Sequence, residues 1–487
     1  MEMYLKMQAF SLYNKSILSK VWSSATFNTW ASLATRSMNL IILIPFILRQ
    51  FSPAEISLWY LFSTIISLNL MIDLGLGVTF SRIVSYAMGG SHRMNEVTKT
   101  VEQSTLTVSN QSYLLRVVGT QQILFGWLSG VVFILLATCG TVFLYKPIHF
   151  LTNPNQGWIA WIIVIIATTI SFRGNAYTTY LQGINRITEF RRYEALFSLA
   201  SILTSILMLY FNAGLIGLVA VNQLWNILSV LRNRWLCFRF NEGVFISGRQ
   251  FQFDKEILKE IWPAAWRSGI GVLMSYGLIQ SSSLIYAQSN QVEQVSTYLF
   301  AMRVMQIIIT FAQAPFYSKL PLMARLYAQN ERQEIVKVAQ KGMQLSHWTF
   351  VAGFAAVALF AEPIMQLIGS QIPFIDLRLW AIMGVAFFVE RYGAMHLQLY
   401  SITNHIVWHI ANGVTGAIYI VLAFALYSTL SVYAFPISML VAYLGFYSFY
   451  SSAKSYSAFN LNFKTFELKL VFIPFLLVLL IVVRSFI

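Results

Sequence analysis

The sequence predicts an all-α polytopic membrane protein, with two pseudo-repeated six-helix lobes around a central cavity. Hydrophobic residues make up 57% of the 487 residues and charged residues only 10%, whereas soluble domains carry about 25% charged residues. Near-continuous apolar runs long enough to cross a bilayer recur along the chain. The alternating segments of about ten residues that mark a β-barrel are missing from the sequence. These observations predict a bundle of membrane-spanning helices.

Twelve apolar runs are long enough to be spans, and a shorter thirteenth run closes the chain. We predict spans at residues 27–48, 55–77, 118–143, 158–181, 195–212, 213–235, 266–288, 296–318, 347–369, 376–402, 406–428 and 431–453. The stretch 470–486 is marginal in length, so it is a thirteenth span or an interfacial anchor, and the side of the C-terminus stays open.

The basic residues follow the topology of these spans. If the N-terminus is cytoplasmic, the inner segments contain 25 of the 33 Lys and Arg residues. Cytoplasmic loops of membrane proteins are enriched in Lys and Arg, so this asymmetry favours that orientation. The net charge of +15 is therefore a consequence of topology, with attraction to anionic lipids as a second effect, and a nucleic-acid partner is not expected.

The longest segment between spans near the middle of the chain divides it into two halves. The predicted domains are an N-terminal six-span lobe (1–235), a cytoplasmic linker (236–265), a C-terminal six-span lobe (266–453), and a cytoplasmic segment with a C-terminal hydrophobic helix (454–487). One short pattern opens the second span of each half, as Glu55, Tyr60, Leu61, Phe62 and as Glu293, Tyr298, Leu299, Phe300. Such parallel repeats are common among transporters.

Polar residues line one side of several spans. In the first span, Arg36 and Asn39 share an arc with other polar residues, and in the eighth, Arg303, Gln306 and Gln313 do the same. A guanidinium in a membrane is expected to face protein or a water-filled cavity, and Arg binds phosphate through a planar fork. The predicted substrate-binding residues are Arg36, Arg303, Arg173, Arg391, Arg267, Arg82, Asn39, Gln306 and Gln313. The alternative is that some of these arginines only form structural pairs or extend to the interface.

Two acidic residues in the spans, Asp73 and Glu390, are candidates for ion coupling or for salt bridges with arginine. Because neighbouring residues of a helix diverge, Glu390 and Arg391 are each expected to find a partner elsewhere. His405 and His409 are one turn apart, but no third metal ligand is identifiable, so core hydrogen bonding is the better interpretation and no metal site is predicted. No catalytic grouping is present, so the chain is not expected to be an enzyme. No cofactor is expected, and coupling to H⁺ or Na⁺ is open.

At its beginning the chain resembles polysaccharide transporters of the multidrug/oligosaccharidyl-lipid/polysaccharide (MOP) exporter superfamily, above all O-antigen (Wzx-type) flippases. The residues that carry the resemblance are Pro45-Phe46-Ile47-Leu48, Ser52-Pro53-Ala54-Glu55, Trp59, Asp73-Leu74-Gly75-Leu76 and Arg82. The resemblance implies a multi-pass protein of the bacterial inner membrane. It would move undecaprenyl-pyrophosphate-linked oligosaccharide between leaflets by alternating access through a cationic cavity. It also implies lipid-linked oligosaccharide and membrane lipids as partners, with a polysaccharide polymerase and chain-length machinery as candidates.

Three alternatives remain at this point. A drug/cation antiporter of the same fold is disfavoured, because four embedded arginines outnumber Asp73 and Glu390. A lipid II flippase would typically have fourteen spans. A membrane scaffold or a sugar polymerase is the alternative from another class, but a polymerase would show a large outer loop, and the longest here is about 144–157.

Overall fold

A computed structural model describes most of the chain. The described residues are 42–68, 72–73, 75–88, 111–184, 186–240, 244–245, 251–328, 330–403, 405 and 407–486. Arg36 and Asn39 lie outside them, so their predicted roles stay predictions.

The described residues form long helices joined by short turns. After a helix over 42–50, the helices are α1 (Pro53–Ser67), α2 (Leu76–Met88), α3 (Gln111–Leu135), α4 (Thr141–His149), α5 (Pro154–Gly183), α6 (Ile187–Tyr210), α7 (Gly214–Arg239), α8 (Lys255–Tyr286), α9 (Val292–Tyr317), α10 (Leu320–Ala328), α11 (Arg332–Ile368), α12 (Leu377–Ser401), α13 (Trp408–Leu430), α14 (Ala434–Ala442), α15 (Ser448–Phe459) and α16 (Phe463–Phe486). Single π-helical turns, Leu136–Gly140 and Tyr443–Tyr447, join α3 to α4 and α14 to α15.

This architecture confirms the predicted all-helical membrane fold. Within the described residues, seven helices are long and apolar enough to cross a membrane, so the chain is a multi-pass membrane protein. The exact number of spans stays a prediction. The terminal stretch is a helix, α16, whose apolar part Leu470–Ser485 is shorter than those seven.

The second predicted span is interrupted. We predicted a span over 55–77, but α1 ends at Ser67 and α2 begins at Leu76. Gly75 has φ +69°, a left-handed conformation that glycine adopts without strain, and the Leu76 amide donates to the Asp73 carbonyl at 2.8 Å. The tight turn at Asp73 and Gly75 therefore restarts the helix.

The chain has two compact units. The first contains residues 1–46, 77–134 and 162–261, and the second contains residues 47–76, 135–161 and 262–487. These units follow packing in space, and the predicted lobes at 1–235 and 266–453 stay predictions.

In the first unit, aromatic side chains fill the space between α2, α3 and α5. The rings of Phe80 and Phe125 lie 6.3 Å apart and those of Phe125 and Phe172 lie 5.9 Å apart. At the start of α8, Arg116 Nε donates to Asp254 Oδ2 at 2.6 Å, and this bond lowers the pKa of the Asp254 carboxyl. The bond ties the segment after α7 back to α3.

In the second unit, α9 packs against both α11 and α1, and α12 packs against α15 and α16. The repeated pattern of the sequence lies at the contact between α1 and α9. Glu55 and Glu293 occupy the first turns of these helices, and the rings of Tyr60 and Phe300 lie 6.3 Å apart. The two copies of the pattern therefore begin two helices that pack on each other.

Candidate substrate cavity

A cavity of about 450 Å³, lined by charged and amide side chains as well as by apolar ones, lies within the second unit. It is lined by α8, α9, α12 and α13, with Ser67 of α1 and Tyr447 of the π-turn. Five of the predicted site residues line it together: Arg303, Gln306, Gln313, Glu390 and Arg391. The structure thus brings together residues that are 88 positions apart in the sequence, although their contact with a substrate stays a prediction.

Helical spacing places the polar stripe of α9 in this cavity. Arg303, Gln306, Thr310, Gln313 and Tyr317 recur every three or four residues and all line it. Another face of α9 is apolar and buried, and it includes Met302, Met305, Ile308, Ala312 and Phe316. The two faces of α9 therefore have different environments, as the sequence predicted.

Arg303 retains unfilled hydrogen-bonding capacity. Its Nη1 donates to Gln306 Oε1 at 3.1 Å, one turn along the same helix. Its Nε is buried and has no hydrogen-bond partner among the described residues, and the same is true of the Tyr60 hydroxyl, to which Arg303 is electrostatically coupled. Of the described acidic residues, none forms an ion pair with Arg303. Leaving such donors unbonded costs free energy, so they are suited to an incoming acceptor.

Arg391 has its charge balanced locally. Its Nη2 and Nε donate to Glu390 at 2.9 and 3.2 Å, and its Nη1 donates to Gln313 Oε1 at 3.1 Å. The guanidinium also lies 5.6 Å from the centre of the Tyr317 ring. The expectation that Glu390 and Arg391 would seek separate partners is wrong. Their side chains are only 14% and 5% exposed, so water cannot solvate the charges and the flexible Arg391 side chain folds back onto the nearest carboxylate.

The other predicted residues lie elsewhere. Arg173 is exposed on α5 in the first unit, and Arg82 is exposed on α2. Arg267 is exposed on α8, one turn before the cavity residue Gly271, and its guanidinium lies 6.0 Å from the Trp266 ring. Asp73 lies in the turn before α2. The cavity brings none of these four residues together with Arg303.

Sequence analysis missed part of the lining of the main cavity and a second cavity. Gln280 and Tyr447 line the main cavity and were not among the predicted site residues. In the first unit, α5, α6 and α7 enclose about 430 Å³ lined by amide and hydroxyl side chains together with Arg191, Glu194 and Arg232. Arg232, near the end of the predicted span 213–235, was not among the predicted site residues and is only 8% exposed. Its burial in the structure identifies it as part of this second cavity.

The histidine pair was predicted to form hydrogen bonds in the core. His405 Nδ1 lies 3.1 Å from Thr403 in the turn before α13, and it is exposed. His409 Nδ1 is buried without a hydrogen-bond partner among the described residues. The core interpretation is therefore wrong for His405, because the helix begins only at Trp408 and leaves it in the turn.

Comparison with solved structures places this arrangement among known folds. An inward-facing multidrug resistance MATE family transporter of the MOP superfamily superposes with a TM-score of 0.67 at 15% identity, over 90% of this chain and 96% of that one. An outward-facing MATE family transporter gives 0.61 at 14% identity, over 91% and 97% of the two chains. The chain adopts the fold of the MOP superfamily transporters.

A third solved structure also has the MOP fold. It is a MOP superfamily transporter from Pyrococcus furiosus, described as having a binding pocket of reversed polarity that suggests a different function. Its TM-score is 0.58 at 15% identity, over 91% of this chain and 98% of that one. No protein-family model and no curated protein sequence matches the chain. At this identity the MOP fold is what the likeness shows.

Proposed function

We propose that this protein is a flippase that moves undecaprenyl-pyrophosphate-linked oligosaccharide across the bacterial inner membrane through its cationic cavity. The observation that supports the proposal most directly is Arg303. It is an arginine inside a membrane helix bundle, with no acidic ion-pair partner among the described residues and with a buried Nε that lacks an acceptor. A pyrophosphate supplies both the negative charge and the acceptor oxygens.

The rest of the lining suits a glycolipid. Gln306, Thr310, Gln313 and Asn412 offer amides and hydroxyls that can bond to sugar hydroxyls. Arg391 is held against Glu390, so it adds hydrogen-bonding capacity with little net charge. Under this proposal the pyrophosphate binds at Arg303, the sugars occupy the polar remainder of the cavity, and the polyprenyl tail stays in the lipid.

A multidrug antiporter is the second candidate, because structures with the same fold include multidrug resistance transporters. Such a protein needs a carboxylate that is free to attract an organic cation. Glu390 is the acidic residue in the cavity lining, and both of its oxygens already accept hydrogen bonds from Arg391. The cavity charge therefore favours an anionic substrate over a cation. A lipid II flippase shares the proposed chemistry and differs in the sugar.

Contacts at the predicted outer ends of the helices are compatible with alternating access. Within the second unit, the Gln371 amide donates to the Leu48 carbonyl at 2.7 Å, and Gln288 Nε2 donates to the Phe143 carbonyl at 2.9 Å. Lys146 also donates to the Gln288 carbonyl. Each of these bonds joins a segment of the first half of the sequence to the second half. Such bonds would have to break for the cavity to open to the outer side.

The test is flipping in reconstituted vesicles of a fluorescent undecaprenyl-pyrophosphate oligosaccharide, with lipid II and the cation ethidium as comparison substrates. Arg303→Ala removes a charge-assisted hydrogen bond worth about 1.5–3 kcal/mol, so we expect the flipping rate to fall roughly 10- to 100-fold. Arg303→Lys retains the positive charge but loses the planar guanidinium that can bind phosphate through two N–H groups. Its flipping rate is therefore expected to lie between those of the wild type and Arg303→Ala.

Arg484→Ala, at an exposed position in the last turn of α16, is the matched control and should flip normally. Normal flipping by Arg303→Ala would overturn the proposal. Ethidium transport without glycolipid flipping would favour the antiporter, and flipping of lipid II alone would identify the other flippase class.

A further inference from the structure

A second buried ionic cluster lies outside the cavity, where α16 packs on α12. His396 Nε2 and Glu467 Oε1 are 2.8 Å apart, and the side chains are only 1% and 2% exposed. Neither residue lines the cavity that contains Arg303. Glu467 belongs to the terminal helix, which the proposed transport mechanism does not use.

The hydrogen bonds around His396 locate its protons. The Ser455 hydroxyl donates to the Ser452 carbonyl at 3.0 Å, so its oxygen is left to accept from His396 Nδ1, 2.6 Å away. Nδ1 is therefore the protonated nitrogen, assigned from the network. Nε2 and Glu467 Oε1 lie 2.8 Å apart without the alignment of a hydrogen bond, so the contact is ionic, and one proton on either group keeps the buried pair neutral.

This buried pair is electrically neutral in only one protonation state, in which the two residues together hold one titratable proton. With one proton between them, the residues form an imidazolium and a carboxylate, or an imidazole and a carboxylic acid, and the net charge is zero. Loss of that proton leaves a bare carboxylate, and gain of a second leaves a lone imidazolium. Both are costly for side chains that are only 1% and 2% exposed.

The surroundings offer hydroxyls, rings and one further imidazole. His347 of α11 faces the pair from one side and is electrostatically coupled to His396. Tyr392 of α12 and Tyr456 of α15 lie beside Glu467, and their ring centres are 4.6 and 5.7 Å from that of His396. Arg391, on α12, is engaged by Glu390. None of these groups supplies a second full charge to replace the shared proton.

Two of the elements that hold the pair also line the cavity. The helix α12 carries Glu390 and Arg391 less than two turns before His396. Tyr447, at the end of the π-turn, lines the cavity two turns before Ser455. π-helical turns frequently occur at functional sites. In contrast, α16, which carries Glu467, contributes no residue to the lining of that cavity.

We propose that His396 and Glu467 form a proton-binding site that fastens the terminal helix to the helix bearing Glu390 and Arg391. Binding of one proton closes the contact between α16 and α12, and its release opens the contact. The proposal concerns a proton ligand, and it stands apart from the identity of the transported substrate.

The experiment is hydrogen exchange of the α16 amides in the full chain, in lipid nanodiscs between pH 6 and pH 9. Exchange is corrected for its intrinsic pH dependence. Release of one proton on opening predicts that protection falls up to tenfold per pH unit at the alkaline end. In Glu467→Gln, the neutral amide can donate to a neutral His396 Nε2, so closing needs no added proton and protection should not fall at the alkaline end.

Two further variants keep the result interpretable. Glu362→Gln, at an exposed position on α11, should keep the wild-type slope. If Glu467→Gln does not fold, the double variant His396→Gln/Glu467→Gln takes its place. It pairs two neutral amides, so its protection should not change with pH. A flat wild-type profile, or a wild-type slope in the properly folded Glu467→Gln protein, would overturn the proton site.

Flipping assays keep this proposal distinct from the proposed function. We expect the wild-type flipping rate to depend on pH and the Glu467→Gln rate not to. If no glycolipid is flipped by either protein, the flippase proposal fails, while the slope of hydrogen exchange still decides the proton site.

Discussion

Among the arginines of the membrane helices, the acidic and amide side chains beside each guanidinium decide whether it can bind a further acceptor. Arg391 shares its cavity with Arg303, but each of its three nitrogens already donates to Glu390 or Gln313, whereas Arg303 donates only to Gln306 among the described residues. Both were predicted from the same argument, that a guanidinium in the membrane needs a polar environment. The sequence did not predict the pairing of Arg391 with Glu390, because that pairing depends on which side chains burial shields from water.

At this scale we predict that Glu390→Gln destabilises the protein. It leaves Arg391 buried without a counter-charge, and breaking such a pair costs about 3–5 kcal/mol. Thermal unfolding in detergent should show a lower Tm than for the wild type. The double variant Glu390→Gln/Arg391→Met removes both charges and should recover much of the loss. Equal Tm values for the wild type and Glu390→Gln would mean that the pair is solvated.

At the scale of elements, the close approach of helices depends on glycine in α12. A Cβ built on Gly384 would lie 2.2 Å from a ring carbon of Phe354, on α11. Nearby, a Cβ on Gly393 would lie 2.7 Å from the Tyr447 ring. These positions bring α11 and the π-turn onto α12, and they place Arg391 and Tyr447 in one cavity.

We predict that Gly384→Ala destabilises the packing of α12 by about 1–3 kcal/mol, because the Phe354 ring must move in a filled core. The matched control is Gly413→Ala on α13, where a Cβ would meet no atom within 4 Å. Thermal unfolding should separate the two variants. The same Tm for both would show that the Phe354 ring has room to rotate away.

At the scale of the whole molecule, contacts at the predicted outer ends join distant parts of the sequence. The backbone amide of Gln371 donates to the Leu48 carbonyl, and its side-chain amide donates to the Arg49 carbonyl, more than 300 residues away. All three residues belong to the second compact unit. The repeated pattern around Tyr60 and Tyr298 begins the two helices, α1 and α9, that pack together at this end. Alternating access requires these contacts to separate.

We therefore predict that cross-linking this end stops transport. In a variant with Cys139 and Cys237 replaced by Ser, Arg49→Cys and Gln371→Cys are joined by a short bis-methanethiosulfonate reagent, which forms a reducible disulfide with each thiol and releases methanesulfinate. Flipping should cease and should return on reduction, whereas each single-cysteine protein should be unaffected. Full flipping by the cross-linked protein would rule out opening at this end.

Residues of the cavity could be predicted from the sequence where polar residues recur at helical spacing within one span. The stripe Arg303, Gln306 and Gln313 repeats with helical spacing in one span, and its common face is visible in the sequence. Gln280 and Tyr447 lie on different helices, and only packing brings them to the cavity. His396 and Glu467 are 71 positions apart, one in a predicted span and the other in a predicted cytoplasmic segment, and nothing in the sequence around either residue indicates the other.

The sequence by itself determined the class of fold, the helical stripes and the sign of the embedded charge, because hydropathy and helical period are local properties. Tertiary structure alone decided that Glu390 neutralises Arg391, that Glu467 meets His396, and that Arg303 keeps a donor for which the described part of the chain offers no acceptor. Pairing of buried charges depends on distance and on exclusion of water, and both arise only when helices distant in sequence pack together.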